Sequence, residues 1–340
     1  MIDLVVVGGG PAGLATVLYA TRAGLDVVLV ERRRAQPVDK ACGEGLMPQA
    51  LAALQALGVD PPGHRITGIR YVDGPLAVDA DFPGGAVGRG VRRLELSAAL
   101  RAAVSQAGVP LVENSVERVE QDGSTVSVGG IRARYAVAAD GLHSPLRRSL
   151  GLDRAVPGRP RYGMRRHFAV TPWSAHVEVH WSATSEAYIT PVGPDCVGVA
   201  VLTSAPGPYE QQIAAFPSVR DRVSGREVSD VRGAGPLCQR AVRRTAGRVL
   251  LVGDAAGYVD ALTGEGIAVS MASARAAVAA VAADRPDQYE LAWRRLSARY
   301  RWLTAGLLAV SGNPAIRRRL VPAAAAAPWL FRAAVGQLAR

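Results

Sequence analysis

The sequence predicts an α/β protein in which a doubly wound, largely parallel sheet is assembled from both ends of the chain. An antiparallel sheet is inserted between the two contributions, and a helical region closes the C-terminus. Three observations carry this reading. The first thirty or so residues run strand, glycines, helix, strand. Residues 152–236 change to period-two alternation, and from residue 248 a buried strand and a long Ala-rich helix return.

Taken in order, Ile2 to Val7 is a nearly continuous apolar run, the mark of a strand covered on both faces. A helix is expected from Pro11 to about Ala23, ended by Gly24, and a second buried strand from Asp26 to Glu31. Pro48 to Leu57 reads as a helix stopped by Gly58. Residues 65–90 hold short strands with Gly and Pro, and Leu94 to Ala107 is helical. Between 115 and 139 lie three strand-like runs parted by Asp122-Gly123 and Gly129-Gly130.

In the insertion, Val177, Val179 and Trp181 alternate with His176, Glu178 and His180, which predicts an antiparallel sheet with one face more polar than the other. Arg248 to Gly253 is again a buried strand, and Gly266 to Ala282 a helix. The tail from Gln288 to Arg340 is helical with breaks expected at Pro314, Pro322 and Pro328. The implied division is 1–70, 90–151 and 237–285 for the nucleotide-binding domain, 71–89 and 152–236 for the inserted sheet, and 286–340 for the terminal helices.

Composition excludes several classes. The net charge of +11 invites a nucleic-acid reading, but Lys40 is the single lysine among 40 basic residues, and aromatics are only 5 % of the chain. A bias toward arginine spread along the chain accounts for that charge better than a clustered, aromatic-interleaved patch, so no nucleic-acid partner is expected. Short runs such as Arg32-Arg33-Arg34 read as helix ends or phosphate neighbours. Cys42, Cys196 and Cys238 form no CxxC pair and no zinc spacing, which fits a reducing cytoplasm and no metal site. No signal peptide and no membrane-spanning run is read from the chain.

The chemistry begins at Gly8-Gly9-Gly10-Pro11-Ala12-Gly13, a G-x-G-x-x-G placed between a strand and a helix. Gly8 permits the tight turn, Gly10 lets backbone approach a pyrophosphate, and Gly13 allows close helix–strand packing. The helix start, at Pro11 and Ala12, offers free N–H groups to the anion. Glu31 closes the second strand where a carboxylate receives an adenosine ribose, and Arg32 follows it as a phosphate neighbour. This spacing leaves NAD and FAD equally open.

Two later segments, Ala139-Asp140-Gly141-Leu142 and Gly253-Asp254-Ala255-Ala256-Gly257 leading into Thr263-Gly264-Glu265-Gly266-Ile267, each follow a strand. With them the chain resembles the FAD-dependent superfamily of para-hydroxybenzoate hydroxylase-like monooxygenases, flavin halogenases and geranylgeranyl reductases. The resemblance spans ordered motifs from residue 8 to residue 268. It implies a Rossmann-like FAD-binding domain of the glutathione-reductase type, with bound FAD and NADPH or NADH as electron donor. On that likeness Asp254 and Gly253 hold the ribityl or pyrophosphate part, and Gly264, Gly266, Ile267 and Ala268 start a helix beneath it. Asp140 and Gly141 lie near the pyrophosphate, Arg93 contacts FAD, and Val116 offers its backbone to the adenine. Lys40-Ala41-Cys42-Gly43-Glu44-Gly45 resembles the geranylgeranyl reductase subgroup, in which such a stretch passes the isoalloxazine ring. The chain departs from the pattern at Asp260-Ala261, where Asp-Pro is expected, and it contains no Trp-x-Trp, so halogenation is not expected.

No Ser/His/Asp or metal constellation is visible, so the flavin itself carries the redox step. Lys40 is read either as an anion holder or as an exposed lysine, and Cys42 either as a reactive thiol or as a small residue packed near the ring. Arg165, His167, His176, Glu178, His180 and Tyr188 are the candidate substrate-cavity residues. The expected reaction is NAD(P)H- and O2-dependent hydroxylation or epoxidation of a hydrophobic, aromatic or polyketide-like molecule through a flavin C4a-hydroperoxide. The alternatives are saturation of a C=C bond in a prenyl or other hydrophobic substrate, and a flavin-binding protein without catalysis. The terminal helices, with Trp302, Leu303, Leu307, Trp329, Leu330 and Phe331, are expected to use these residues for core packing, ahead of capping the cavity or resting on a membrane surface.

Overall fold

A computed structural model describes residues 1–32, 37–205 and 207–339; Arg33 and Arg34 of the basic run lie outside them. The apolar run Ile2–Val7 (β1) pairs in parallel with Val27–Glu31 (β2) on one side and with Ile131–Ala138 on the other. Val249–Leu251 extends the sheet beyond Ile131–Ala138, and Leu111–Glu113 extends it beyond β2, both in parallel. The C-terminal third of the chain therefore adds a strand to a sheet whose central strands come from the first third. An antiparallel edge, Thr245–Ala246, and the strands Val119–Gln121 and Val126–Val128 complete eight strands.

Helix α1 (Pro11–Arg22) starts with proline at its first turn, where no amide hydrogen is needed. It ends as Gly24, at φ 74°, turns left-handed: Gly24 N–H donates to Thr21 O and Leu25 N–H to Ala20 O. Together with Arg93–Gln106 and Gly266–Ala282 it packs into one core with β1 and its neighbours, from which leucine, valine and alanine exclude water.

The second sheet has seven strands, in the order Arg232–Ala234, Tyr162–Phe168, Cys196–Thr203, Ser185–Gly193, His176–Trp181, Gly68–Asp73, Leu76–Asp81. Its pairs are antiparallel except His176–Trp181 against Gly68–Asp73, which run parallel. That pair joins two distant parts of the chain, so no hairpin dictates its direction.

Both faces of this sheet are covered. Val177, Val179, Trp181, Tyr188, Ala200 and Leu202 pack toward the terminal helices. Phe168, Ala187, Ile189, Val197, Val199 and Val201 pack beneath the short helices Tyr209–Ile213 and Pro217–Val223.

The tail forms Asp287–Ser311, Pro314–Arg317, Leu320–Ala326 and Pro328–Leu338. Asn313 caps the second of these, its side-chain oxygen accepting from Ala315 and Ile316 N–H. Pro322 does not break the tail as expected. It stands in the first turn of its helix, where its missing N–H has no intrahelical partner to lose.

Candidate functional site

One cavity of about 620 Å³ runs from the glycine loop after β1 to the space between the seven-stranded sheet and the terminal helices. Its nucleotide end is shaped by backbone. Gly8 has φ 111°, and a Cβ there would lie 2.5 Å from Ala139 O. A Cβ on Gly13 would meet Gly8 O at 1.8 Å, so only glycine lets α1 approach β1 this closely. Over Gly10 and Gly43 the space within 4 Å of such a Cβ is open, and both residues line the cavity. Glu31 ends β2 buried, its carboxylate accepting the N–H of Gly9. Arg32 and Val116 line the same end.

The middle of the cavity lies between two helix starts. α1 begins at Gly10 and the helix Gly266–Ala282 at Glu265, neither with a side-chain cap, so first-turn N–H groups remain for an anion. On the wall, Asp140 Oδ1 and Arg93 Nε are buried with no hydrogen-bond partner among the described residues. Burial raises the Asp140 carboxyl above its ordinary range, although the Ser144 hydroxyl and the Leu146 N–H donate to it. Open space above glycines, uncapped helix starts and two orphaned polar atoms fit a dinucleotide cofactor. Gly8, Gly10, Pro11, Ala12, Glu31, Asp140, Gly141, Asp254, Gly264, Gly266 and Ile267 all line the cavity.

Three of the expected cofactor residues stand behind the wall instead. Gly13 packs α1 on β1, and Ala268 is buried in the core. Gly253, at φ 58°, lets its turn approach Ala12, whose Cβ would lie 2.6 Å from a Cβ added at Gly253. They position the cofactor loops without facing the cavity.

Lys40 lines the cavity, and its Nζ lies 3.4 Å from Asp254 Oδ2, tying the loop 37–45 to the turn after Val249–Leu251. Cys42 lines the cavity, with its Sγ accepting from Glu44 N–H at 3.4 Å.

Beneath that loop is a buried ionic group that sequence reasoning passed over, although Glu44 stands inside a motif it quoted. Glu44 adopts φ 60° between Gly43 and Gly45 and is almost wholly buried. Its Oε1 accepts from Arg93 N–H at 2.8 Å, and its Oε2 is 2.7 Å from His167 Nε2. Arg165 Nη1, which can only donate, is 3.2 Å from His167 Nδ1, so the ring proton belongs on Nε2, facing Glu44. Arg165 also binds Asp39, which Arg232 holds from the other side at 2.9 Å. Arg165 reaches the cavity wall; His167 acts one layer behind it.

The other candidates on that sheet part company by strand alternation. Tyr188 lines the cavity, its hydroxyl donating to Leu262 O at 3.0 Å. His176, Glu178 and His180 point to the opposite side, which corrects their reading as cavity residues. His176 faces Asp81, and Glu178 accepts from Trp173 Nε1 and contacts His180 Nε2. The cavity takes the apolar alternates Val177 and Val179, joined by Ile69, Tyr71, Ala200 and Leu202.

A second buried group underlies this apolar end. Arg161 bridges Glu186 at 2.8 Å and Asp260 at 2.9 Å, and Arg317 meets the other oxygen of Glu186 at 2.7 Å. Glu186 is completely buried. No local sequence signal marked this group, since Glu186 and Arg317 are brought together only by the terminal helices.

A glycine-cradled dinucleotide site opening onto an apolar cavity suits a dinucleotide-dependent oxidoreductase, and the comparisons name the dinucleotide as FAD. Residues 95–285 match the family model described as "FAD binding domain", and residues 2–71 match that of pyridine nucleotide-disulphide oxidoreductase. The chain belongs to this FAD-binding family, in the superfamily that joins hydroxylase-like monooxygenases to geranylgeranyl reductases. It is 32 % identical over 336 residues to the menaquinone reductase of Mycolicibacterium smegmatis, covering 86 % of this chain and 80 % of the relative. It is 28 % identical over 299 residues to digeranylgeranylglycerophospholipid reductase 1 of Methanopyrus kandleri, covering 81 % and 79 %. Among solved structures, the flavin-dependent brominase Bmp2 superposes with a TM-score of 0.83 at 18 % identity, covering 99 % of this chain and 93 % of that one. A geranylgeranyl bacteriochlorophyll reductase-like protein of Thermoplasma acidophilum gives 0.70 at 20 %, covering 88 % and 83 %. These two likenesses speak to the fold alone.

Proposed function

We propose that this flavoenzyme saturates carbon–carbon double bonds in a prenyl chain or a comparably lipophilic substrate. The observation that carries the reading is the far end of the cavity. Its wall is Ile69, Val177, Val179, Ala200, Leu202, Leu237 and Leu262, and its polar side chains there are the tyrosines Tyr71 and Tyr188. Burial raises both phenols well above their ordinary range, so they remain neutral hydrogen-bonding groups. Such a wall accepts hydrocarbon, and the guanidinium beside it, Arg165 opposite Ala200, is already paired with Asp39 and Glu44. The relatives named as menaquinone and digeranylgeranylglycerophospholipid reductases support the same substrate class.

FAD, when bound, supplies the hydride equivalent; the substrate carbon opposite it takes a proton, so each C=C bond gains two hydrogens. The chain's own part is to hold the ring against the loop 37–45, to orient the alkene along the valine face and to exclude water. The two-electron donor to the flavin is proposed to be NADPH or NADH. Hydroxylation, favoured on sequence grounds, would use the same cofactor site with O2 as co-substrate.

The deciding experiment is to supply the holoenzyme with NADPH or NADH and a prenylated quinone, with and without oxygen, and weigh the product. A product heavier by two hydrogens per reduced bond, formed without oxygen, is expected. A product heavier by one oxygen atom, formed only in air, would replace this reading with the monooxygenase one.

A further inference from the structure

The second half of the helix Asp287–Ser311 changes character on its outer face. Up to Arg301 that face carries Arg294, Arg295 and Arg301. From there it is uncharged: Trp302, Ala305, Gly306, Ala309 and Val310 are all exposed, and Trp302 retains 76 % of its accessible surface. The following helices continue the pattern with Ile316, Trp329 and Leu330, the second tryptophan 67 % exposed. Leaving large apolar groups in water is unfavourable, and their placement on consecutive terminal helices is not the scattered exposure of an ordinary surface.

Charge gives the partner's chemistry. The last acidic residue of the chain is Glu290; residues 291–340 contain nine arginines and no Asp or Glu. Arg318, Arg319 and Arg332 are exposed beside the apolar groups. Tryptophan together with arginine and without carboxylates suits the headgroup layer of an anionic bilayer, where the indole takes the interface and guanidinium pairs with phosphate. A protein surface would ordinarily present charges of both signs. Among the described residues no helix is long and apolar enough to cross a membrane, so the helices would lie on it.

We infer that the terminal helices dock the protein on the surface of an anionic phospholipid bilayer. The same two helices also wall the cavity, through Leu307 and Leu338. Docking would therefore bring the apolar end of the cavity to the lipid; this last step rests on the proposed lipophilic substrate, whereas docking itself does not.

The test is flotation of the FAD-loaded full chain with vesicles of phosphatidylcholine alone or mixed with phosphatidylglycerol. Binding to the mixed vesicles, weakened by salt, is expected, with about a tenfold loss in a Trp302→Ser, Trp329→Ser variant and in Arg318→Glu, Arg319→Glu. Flavin content and dithionite reduction of the flavin should stay unchanged in both variants, which separates lost docking from misfolding. Absence of binding at low salt, or equal binding to neutral vesicles, would overturn the inference. So would a dimer in light scattering that the tryptophan variant dissociates, since the patch would then belong to a second copy. Turnover is not measured, so failure here leaves the proposed reaction standing, and the reverse.

Discussion

The two buried ionic groups hold the same cavity from opposite ends, and they are built differently. Under the cavity-lining loop 37–45, Asp39, Arg165, Glu44 and His167 form a chain in which one member is an imidazole and one, Asp39, is partly open to solvent. Under the apolar end, Arg161, Glu186, Arg317 and Asp260 form a closed set of two guanidinium groups and two carboxylates. The first joins the loop 37–45 to the strand Tyr162–Phe168, so it positions a cofactor-facing loop. The second joins the inserted sheet to the terminal helices, so it clamps the lid of the cavity. A positioning network tolerates a change of one proton or one contact. A closed clamp in a dry site does not, because removing one cation strands a charge.

The largest effect should come from breaking the clamp. Arg317→Met leaves the oxygen of Glu186 that it faced without its cation, and removes donors to Ser182 O and Ser185 O. A loss of about 3–5 kcal/mol is expected in denaturant unfolding, together with proteolysis that starts in the terminal helices.

A single buried carboxylate sharpens the comparison. Glu265 has one guanidinium, Arg299, at 3.5 Å, and its Oε2 is buried without a partner. Burial outweighs that attraction and raises its carboxyl from 4.5 to about 7. Between those values the folded chain holds a proton that the unfolded chain has released, so this group's contribution to stability falls as pH rises through the window and is constant above it. Glu265→Gln should therefore match the parent apoprotein below pH about 4.5 and exceed it by about 3 kcal/mol at pH about 8, as read by denaturant titration across pH. Equal pH profiles would mean that Arg299 compensates the carboxylate as fully as two arginines do in the clamp.

The smallest effect belongs to the positioning network. Glu44→Gln keeps the shape and an acceptor for Arg93 N–H but removes the charge that faces Arg165 and His167. About tenfold weaker FAD binding, equivalent to about 1.4 kcal/mol, is expected in a flavin fluorescence titration, with little change in unfolding. A stability loss as large as that of Arg317→Met would show that both groups are clamps.

The nucleotide half was legible because its requirements are local. Gly8, Gly10, Gly13 and Glu31 lie within one strand–helix–strand unit, where backbone sterics leave few alternatives to glycine. Period-two alternation likewise marked His176–Trp181 as a strand but not which face met the cavity. Polarity pointed to the histidines. On the far side His176 meets Asp81 and His180 meets Glu178, which Trp173 also holds, and Val177 and Val179 are left on the cavity wall.

The sequence by itself determined a dinucleotide site and the order of the elements, since both follow from short-range patterns of glycine, charge and hydrophobic period, while the choice of FAD rests on the likeness of its later motifs to the family. Only the tertiary structure decided that Glu44 meets His167 and that Glu186 meets Arg317. Those pairs span more than a hundred residues each, and what selects them is the cost of burying any one of the charges alone.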